Sequence, residues 1–155
     1  MASIVIRQAE ATDLDRLTEL LGLLFSIEAD FDFNPVKQRC GLQMILNHAG
    51  AVILVAETEG QVLGMSSGQL TISTAQGGYA MLVEDVVVAE PWQGQGVGKI
   101  LIKGLEQWAK ARKVERLQLL ADCNNQEALG FYKTLGWHRT ELICLRRLLP
   151  TDHSE

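Results

Sequence analysis

The chain has 155 residues, 47% apolar and 21% charged, with a net charge of −5. That length buries enough surface to fold as one domain without staples, and the composition is wrong for a disordered polymer. A general nucleic-acid binder is also excluded, since it needs a basic face to displace counterions.

The opening run from Met1 to Arg7 lacks a charged segment followed by a long apolar one, so no secretory leader is expected. No apolar run approaches the ~18 residues that span a bilayer, so no membrane partner is expected either. Cys40, Cys123 and Cys144 are too few and too scattered for a disulfide framework, and no Cys-x-x-Cys pair exists. They read as small buried hydrophobes in a reduced, cytoplasmic protein.

In chain order, Ser3 to Ala9 reads as a strand. Thr12 offers an N-cap oxygen to a helix carrying Leu14, Leu17, Leu21, Leu24 and Phe25 at helical spacing. That helix should fade in the acidic, aromatic stretch from Glu28 to Phe33. Asn34 as cap and Pro35 at the first position start a second helix running towards Asn47, and Gly50 can stop it. Ala51 to Glu57 reads as a strand, Glu59-Gly60 as a turn, and Gln61 to Ser73 as the next strand. Gln76-Gly77-Gly78 turns into a strong strand from Tyr79 to Val88.

After Pro91 the pattern changes. A glycine turn leads into a helix from Gly98 to Arg112 with Leu101, Leu105 and Trp108 on one face. A strand from Arg116 to Ala121 follows, then a helix from Asn125 to Leu135 ended by Gly136. A last strand is expected over Thr140 to Leu148. Residues 1–149 thus read as a single mixed α/β domain, and 150–155 as a flexible tail.

The turn Gln93-Gly94-Gln95-Gly96-Val97-Gly98 stands between a strand and a helix. Glycines at alternate positions let the backbone take positive φ and approach a ligand, so that successive N–H groups point at one spot. The positive end of the following helix adds to this, which makes a site for a phosphate or pyrophosphate. A P-loop would need Gly at position 93 and Ser or Thr at 100, where this chain has Gln93 and Ile100. The dinucleotide fingerprint would need Gly at 99, which is Lys99.

This turn resembles the Arg/Gln-x-x-Gly-x-Gly/Ala signature of the GNAT acyltransferase superfamily, and Val86-Val87-Val88-Ala89-Glu90-Pro91 resembles the strand that approaches it. Downstream, Asn125, Ala128, Phe131, Tyr132, Gly136 and Trp137 resemble the family's Asn-x-x-Ala-x-x-Phe-Tyr…Gly-Phe pattern, with Trp in the last place. The resemblance covers nearly the whole chain. It implies the GNAT fold, a central, mostly antiparallel sheet flanked by about four helices, and acetyl-CoA (coenzyme A) as co-substrate.

The resemblance further implies that backbone N–H groups of Gln93, Gly94, Gln95, Gly96, Val97, Gly98 and Lys99 cradle the pyrophosphate. Val86, Val87 and Val88 would pair with the pantetheine arm as an added strand, and Asn125 would bond towards that arm. Tyr132 is then the candidate general acid and Glu84 the candidate base, with a strand N–H near Val86 facing the oxyanion. Asn125 reads equally as a helix cap, Tyr132 as a core partner of Phe131, and Glu84 and Asp85 as structural carboxylates on opposite sides of a strand unless a bulge intervenes.

Glu28, Asp30 and Phe31, with Asp85, are the candidate acceptor wall, suited to a cationic amine; they read equally as a solvated loop. His48, His138 and His153 show no ligand spacing, so no metal is expected. The expected activity is transfer of an acetyl group to a primary amine, a small cationic molecule or a lysine. A non-catalytic acyl-CoA sensor and a different acyl donor or acceptor stay open. A homodimer formed through the apolar stretch at Ile143-Cys144-Leu145 is a further expectation.

Overall fold

The computed structural model describes residues 3–28 and 30–151. Met1 and Ala2 of the opening run, Ala29 of the acidic stretch and residues 152–155, with His153, lie outside the described residues. The chain divides into two compact units, Met1–Leu119 and Leu120–Glu155.

In the first unit β1 (Val5–Gln8) leads through a short 3-10 turn (Ala11–Asp13) into α1 (Leu14–Ile27) and α2 (Pro35–Leu46). Then come β2 (Ala51–Thr58), β3 (Gln61–Ser73), β4 (Gly78–Val88), a 3-10 turn (Glu90–Trp92), α3 (Val97–Lys110) and β5 (Leu117–Leu119). The sheet runs β1-β2-β3-β4-β5. Its first four strands pair antiparallel, and β5 lies parallel to β4. The hairpin between β2 and β3 closes through Glu59 and Gly60, both at positive φ, as its sequence led one to expect.

Strand alternation decides what covers the sheet. Ile53 and Val55 share a core with Leu14, Leu17, Leu20 and Leu21 of α1 and Leu42 of α2. Leu54 points the other way, to α3, where Gly104 lets the helix approach: a Cβ there would sit 2.9 Å from Leu54 Cδ1. With both faces covered, β2 is buried almost continuously. α3 turns Val97, Leu101, Ile102, Leu105 and Ala109 inward, while Trp108 stays half-buried under the Arg112 guanidinium, 3.7 Å from its ring centre.

Asn34 caps α2 as expected, accepting from the Lys37 N–H at 3.3 Å. The cap of α1 differs from the expectation at Thr12. Asp13 stands at the N-cap position of α1 without a side-chain bond to that helix. Its carboxylate turns back to accept the Glu10 N–H at 2.8 Å, closing the capping box of the 3-10 turn, and meets the Arg7 guanidinium through two bonds of 2.8 and 3.0 Å. Arg7 in turn reaches Glu57 of β2, so one cation ties the helix start to two strands.

The second unit holds α4 (Gln126–Thr134), capped by Asn125, whose side chain accepts the Ala128 N–H at 3.1 Å. Gly136 ends it at φ 90°, and the Trp137 N–H reaches back to the Tyr132 carbonyl. Two strand expectations are corrected. β5 spans three residues rather than the run from Arg116 to Ala121. Thr140 to Leu148 forms no strand, and Leu142, Ile143, Leu145 and Leu148 are exposed. Strand propensity acts only where a partner ladder exists, and no described strand pairs with this segment. The three cysteines, expected inside, are all exposed: Cys40 lies on an outward position of α2, and Cys123 and Cys144 lie outside any helix or strand.

Replacing Asp13 with Ala should cost roughly 2–4 kcal/mol, since it opens the capping box of the 3-10 turn and leaves Arg7 short of a partner. Urea unfolding measures this, and an unchanged midpoint would show that the pair is idle.

Candidate active site

β4 ends at Val88, and the chain passes through the 3-10 turn Glu90–Trp92 to the glycines. Gly94 and Gly96 adopt φ of 77° and 83°, the left-handed region that a side chain resists. A Cβ at either would meet nothing within 4 Å, so open space lies over both. Gly98 differs: it lies within the first turn of α3. The first amides of that helix, at Val97, Gly98 and Lys99, have no carbonyl one turn back within it, and they carry its positive end. The turn therefore offers an anion a set of donors on a backbone that can be approached closely.

The strand before it is open on one side. The parallel ladder of β4 and β5 ends at Val83 opposite Leu119, so β5 supplies no partner from Glu84 onwards. Val87 stands opposite Met65 of β3, and the Ala89 N–H donates to Leu63, so alternation turns the N–H and C=O groups of Val86 and Val88 to the open edge. At its end the Gln93 side chain donates to the Val88 carbonyl at 2.9 Å. The sequence expectation used only the backbone of Gln93; its side chain fastens the turn to the strand.

Just before the open edge, β4 carries a bulge. Val83 pairs with Gly68 and Val86 with Ser66, so Ser67 alone faces both Glu84 and Asp85. This settles the alternation question: both carboxylates line one cleft instead of lying on opposite faces. Ser67 is fully buried; its hydroxyl accepts the Asp85 N–H at 3.2 Å and lies 3.4 Å from Asp85 Oδ2. Burial, aided by the charges of Glu84 and Glu28, pushes the Asp85 carboxyl up to about 6, while the Ser67 hydrogen bond works against that rise. Glu84 is exposed.

The cleft, about 390 Å³, is walled by Leu21 and Phe25 of α1 and by Leu42, Met44 and Ile45 of α2. A second depression of about 520 Å³, between α1 and the start of α2, contains the Arg39–Asp15 ion pair and none of the β4 groups. Among the described residues no cluster of three or more His, Cys, Asp or Glu could hold a metal, and no helix is long and apolar enough to cross a membrane.

An acid pair on a bulge, an open strand edge and a glycine turn at a helix start thus follow one another along 15 residues, 84 to 98. The sequence model described as Acetyltransferase (GNAT) family matches residues 14–137. This chain belongs to that family.

The likeness extends to individual proteins. Mouse N-alpha-acetyltransferase 80 is 43% identical over 65 residues, which are 42% of this chain and 19% of the mouse protein. The structure of a Trypanosoma brucei acetyltransferase is 26% identical, with a TM-score of 0.74 over 94% of this chain and 100% of that one. An aminoglycoside N-acetyltransferase solved with CoA superposes with a TM-score of 0.83 over 96% of each chain; at 18% identity this likeness speaks for the GNAT fold alone.

Within this GNAT chain the first unit brings together Glu84, Asp85, Val86, Val87, Val88 and the turn from Gln93 to Lys99, and the Glu28 charge acts on Asp85. Asp30 is exposed and is not among the residues that line the cleft. Phe31 is exposed and is not among the residues that line the cleft; its ring lies 6.4 Å from that of Phe25, which is. In the second unit Asn125 caps α4, and the Tyr132 ring lies 5.0 Å from that of Phe131 and 5.6 Å from that of Trp137. Ser67, Phe25 and Met44 were not anticipated as site residues. Helical spacing had marked Phe25 for the core, but only strand register could have singled out Ser67.

Because Asp85 stays protonated in the folded chain to a higher pH than its ordinary 3.8, the native state binds the extra proton between about 4 and about 6. This contribution to stability is full below that window and is lost as pH rises through it. Asp85→Asn should therefore melt higher than the parent at about pH 7.5, with the difference shrinking by about pH 4. A difference independent of pH would deny the perturbed carboxyl.

Proposed function

We propose that this chain transfers an acetyl group from acetyl-CoA to a primary amine by direct attack while both are bound. The observation that carries this reading is the single strand in which paired carboxylates, an open edge and the glycine turn follow in order. The residues fit the donor. On the open edge the Val86 C=O and the Val88 N–H are left for the amides of a pantetheine arm, the Val88 C=O being held by Gln93. The space over Gly94 and Gly96 admits a pyrophosphate, with Lys99 beside it. The match to the GNAT acetyltransferase family over residues 14–137 supports an acetyl donor here, and the name of the mouse relative supports nitrogen as the acceptor.

Bound acetyl-CoA supplies an activated thioester. Sequence reasoning put the base on Glu84; we place it on Asp85, whose carboxyl near 6 is matched to taking a proton close to neutral pH. Glu84, exposed beside it, draws the ammonium in. Once the amine nitrogen is neutral, it forms a bond to the acetyl carbon as the bond to sulfur breaks. The Val86 N–H faces the charge that develops on the carbonyl oxygen. The Tyr132 hydroxyl gives a proton to the departing thiolate, and the Asn125 side chain bonds towards the arm. The nitrogen sheds its second proton to water as the amide forms, and water returns a proton to Tyr132.

Thiol release from acetyl-CoA, measured with a panel of amines, tests this. Asp85→Asn should lower kcat/KM by roughly 10²–10⁴-fold, and the fall in activity below pH 6 expected of the parent should be absent from it. Glu84→Gln should mainly raise the amine KM, and Tyr132→Phe should lower kcat with acetyl-CoA binding retained. Binding without turnover of any amine would overturn the proposal in favour of an acyl-CoA sensor. A larger loss in Glu84→Gln than in Asp85→Asn would return the base to Glu84.

A further inference from the structure

The cleft that ends at the two carboxylates has an uneven lining. Its far wall is apolar, built by Leu21 and Phe25 on α1 and by Leu42, Met44 and Ile45 on α2. Met44 is 68% exposed, a large apolar side chain left facing open space at the rim of a polar site. The polar groups along the same lining are partly committed elsewhere. The Gln38 side-chain oxygen accepts the Asn34 N–H, and His48 Nδ1 accepts the Gly50 N–H at 3.0 Å. Lys37 is the one Lys or Arg in this lining, which also holds Glu84 and Asp85, and the Glu28 charge acts on Asp85.

A ligand that satisfies such a lining is amphipathic: an ammonium at one end and apolar surface at the other. A sugar bearing many hydroxyls would set them against Phe25, Met44 and Ile45, where each buried group left without a partner costs about 1–3 kcal/mol. A linear polyamine would bring a second ammonium against the same wall. An aryl or branched-alkyl body gains from that surface, and Met44 can adjust to its shape.

We propose that this cleft selects a primary amine carried on an apolar, aryl or branched-alkyl body, with its ammonium at Glu84 and Asp85 and its body against Phe25, Met44 and Ile45. The inference rests on the acetyl-transfer reading for its chemistry, but the selection itself is a matter of binding.

Calorimetry on the full chain saturated with CoA, beside thiol release from acetyl-CoA, separates the two. The probes are phenethylamine and isoamylamine against spermidine and an aminoglycoside, with Met44→Gln as the variant because its exposure spares the fold. The expected result is tighter binding and lower KM for the two apolar amines. In Met44→Gln both should weaken roughly tenfold, the discrimination an apolar contact gives, with acetyl-CoA binding unchanged. Preference for spermidine or the aminoglycoside, or indifference to Met44→Gln, overturns this selection and leaves acetyl transfer standing. Apolar amines that bind with this Met44 dependence but are never acetylated uphold the cleft and overturn the transfer reading. Failure of all four amines to bind overturns the selection.

Discussion

Ser67 faces two residues of β4 where a regular ladder would give it one, and the arrangement of the site depends on that extra residue. Without the bulge, Glu84 and Asp85 would point to opposite faces of the sheet. With it, both line one cleft. β5 stops at the level of Val83, immediately before the bulge, so the strand loses its neighbour where its acids come together. The backbone donors of Val86 and Val88 are thereby exposed within a few residues of the carboxylates, and β4 then delivers the chain to the glycine turn.

Two costs are concentrated at this place. A buried carboxylate is expensive to charge, and the rise of Asp85 to about 6 measures that expense. The buried Ser67 hydroxyl limits it by bonding to the Asp85 backbone and standing beside its carboxylate. The left-handed turn at Gly94 and Gly96 also costs backbone entropy, which a plain connection would not require. A perturbed acid at one strand end, followed by a turn that glycine alone takes readily, suits a site that acts on ligands. The core carries the stability: α3 packs on one face of the sheet through its approach at Gly104, and α1 and α2 cover the other.

The parts legible in the sequence are those set by neighbours along the chain. Helical spacing marked α1 and α3, Asn34 and Asn125 announced their caps, and the alternate glycines announced the turn. What depended on pairing between distant residues was not legible. Nothing near Ser67 in sequence tells that two residues of β4 will oppose it. Nothing in the apolar run around Ile143 tells that no described strand will pair with it. Thr12 gives α1 no cap, and the Asp13 carboxylate beside it turns instead to Arg7, six residues earlier and on another element. Phe25 was legible as a helix-face residue, while its place at a cleft depended on how α1 and α2 meet β4.

The central claim is that the open edge of β4 and the glycine turn together hold coenzyme A, and amide chemical shifts during a titration with CoA test it most directly. The largest changes should fall on the N–H groups of Val86, Val88, Gly94, Gly96, Val97 and Gly98, the donors freed by the strand edge and the helix start. Changes confined to other surfaces, with these six unmoved at saturation, would contradict it.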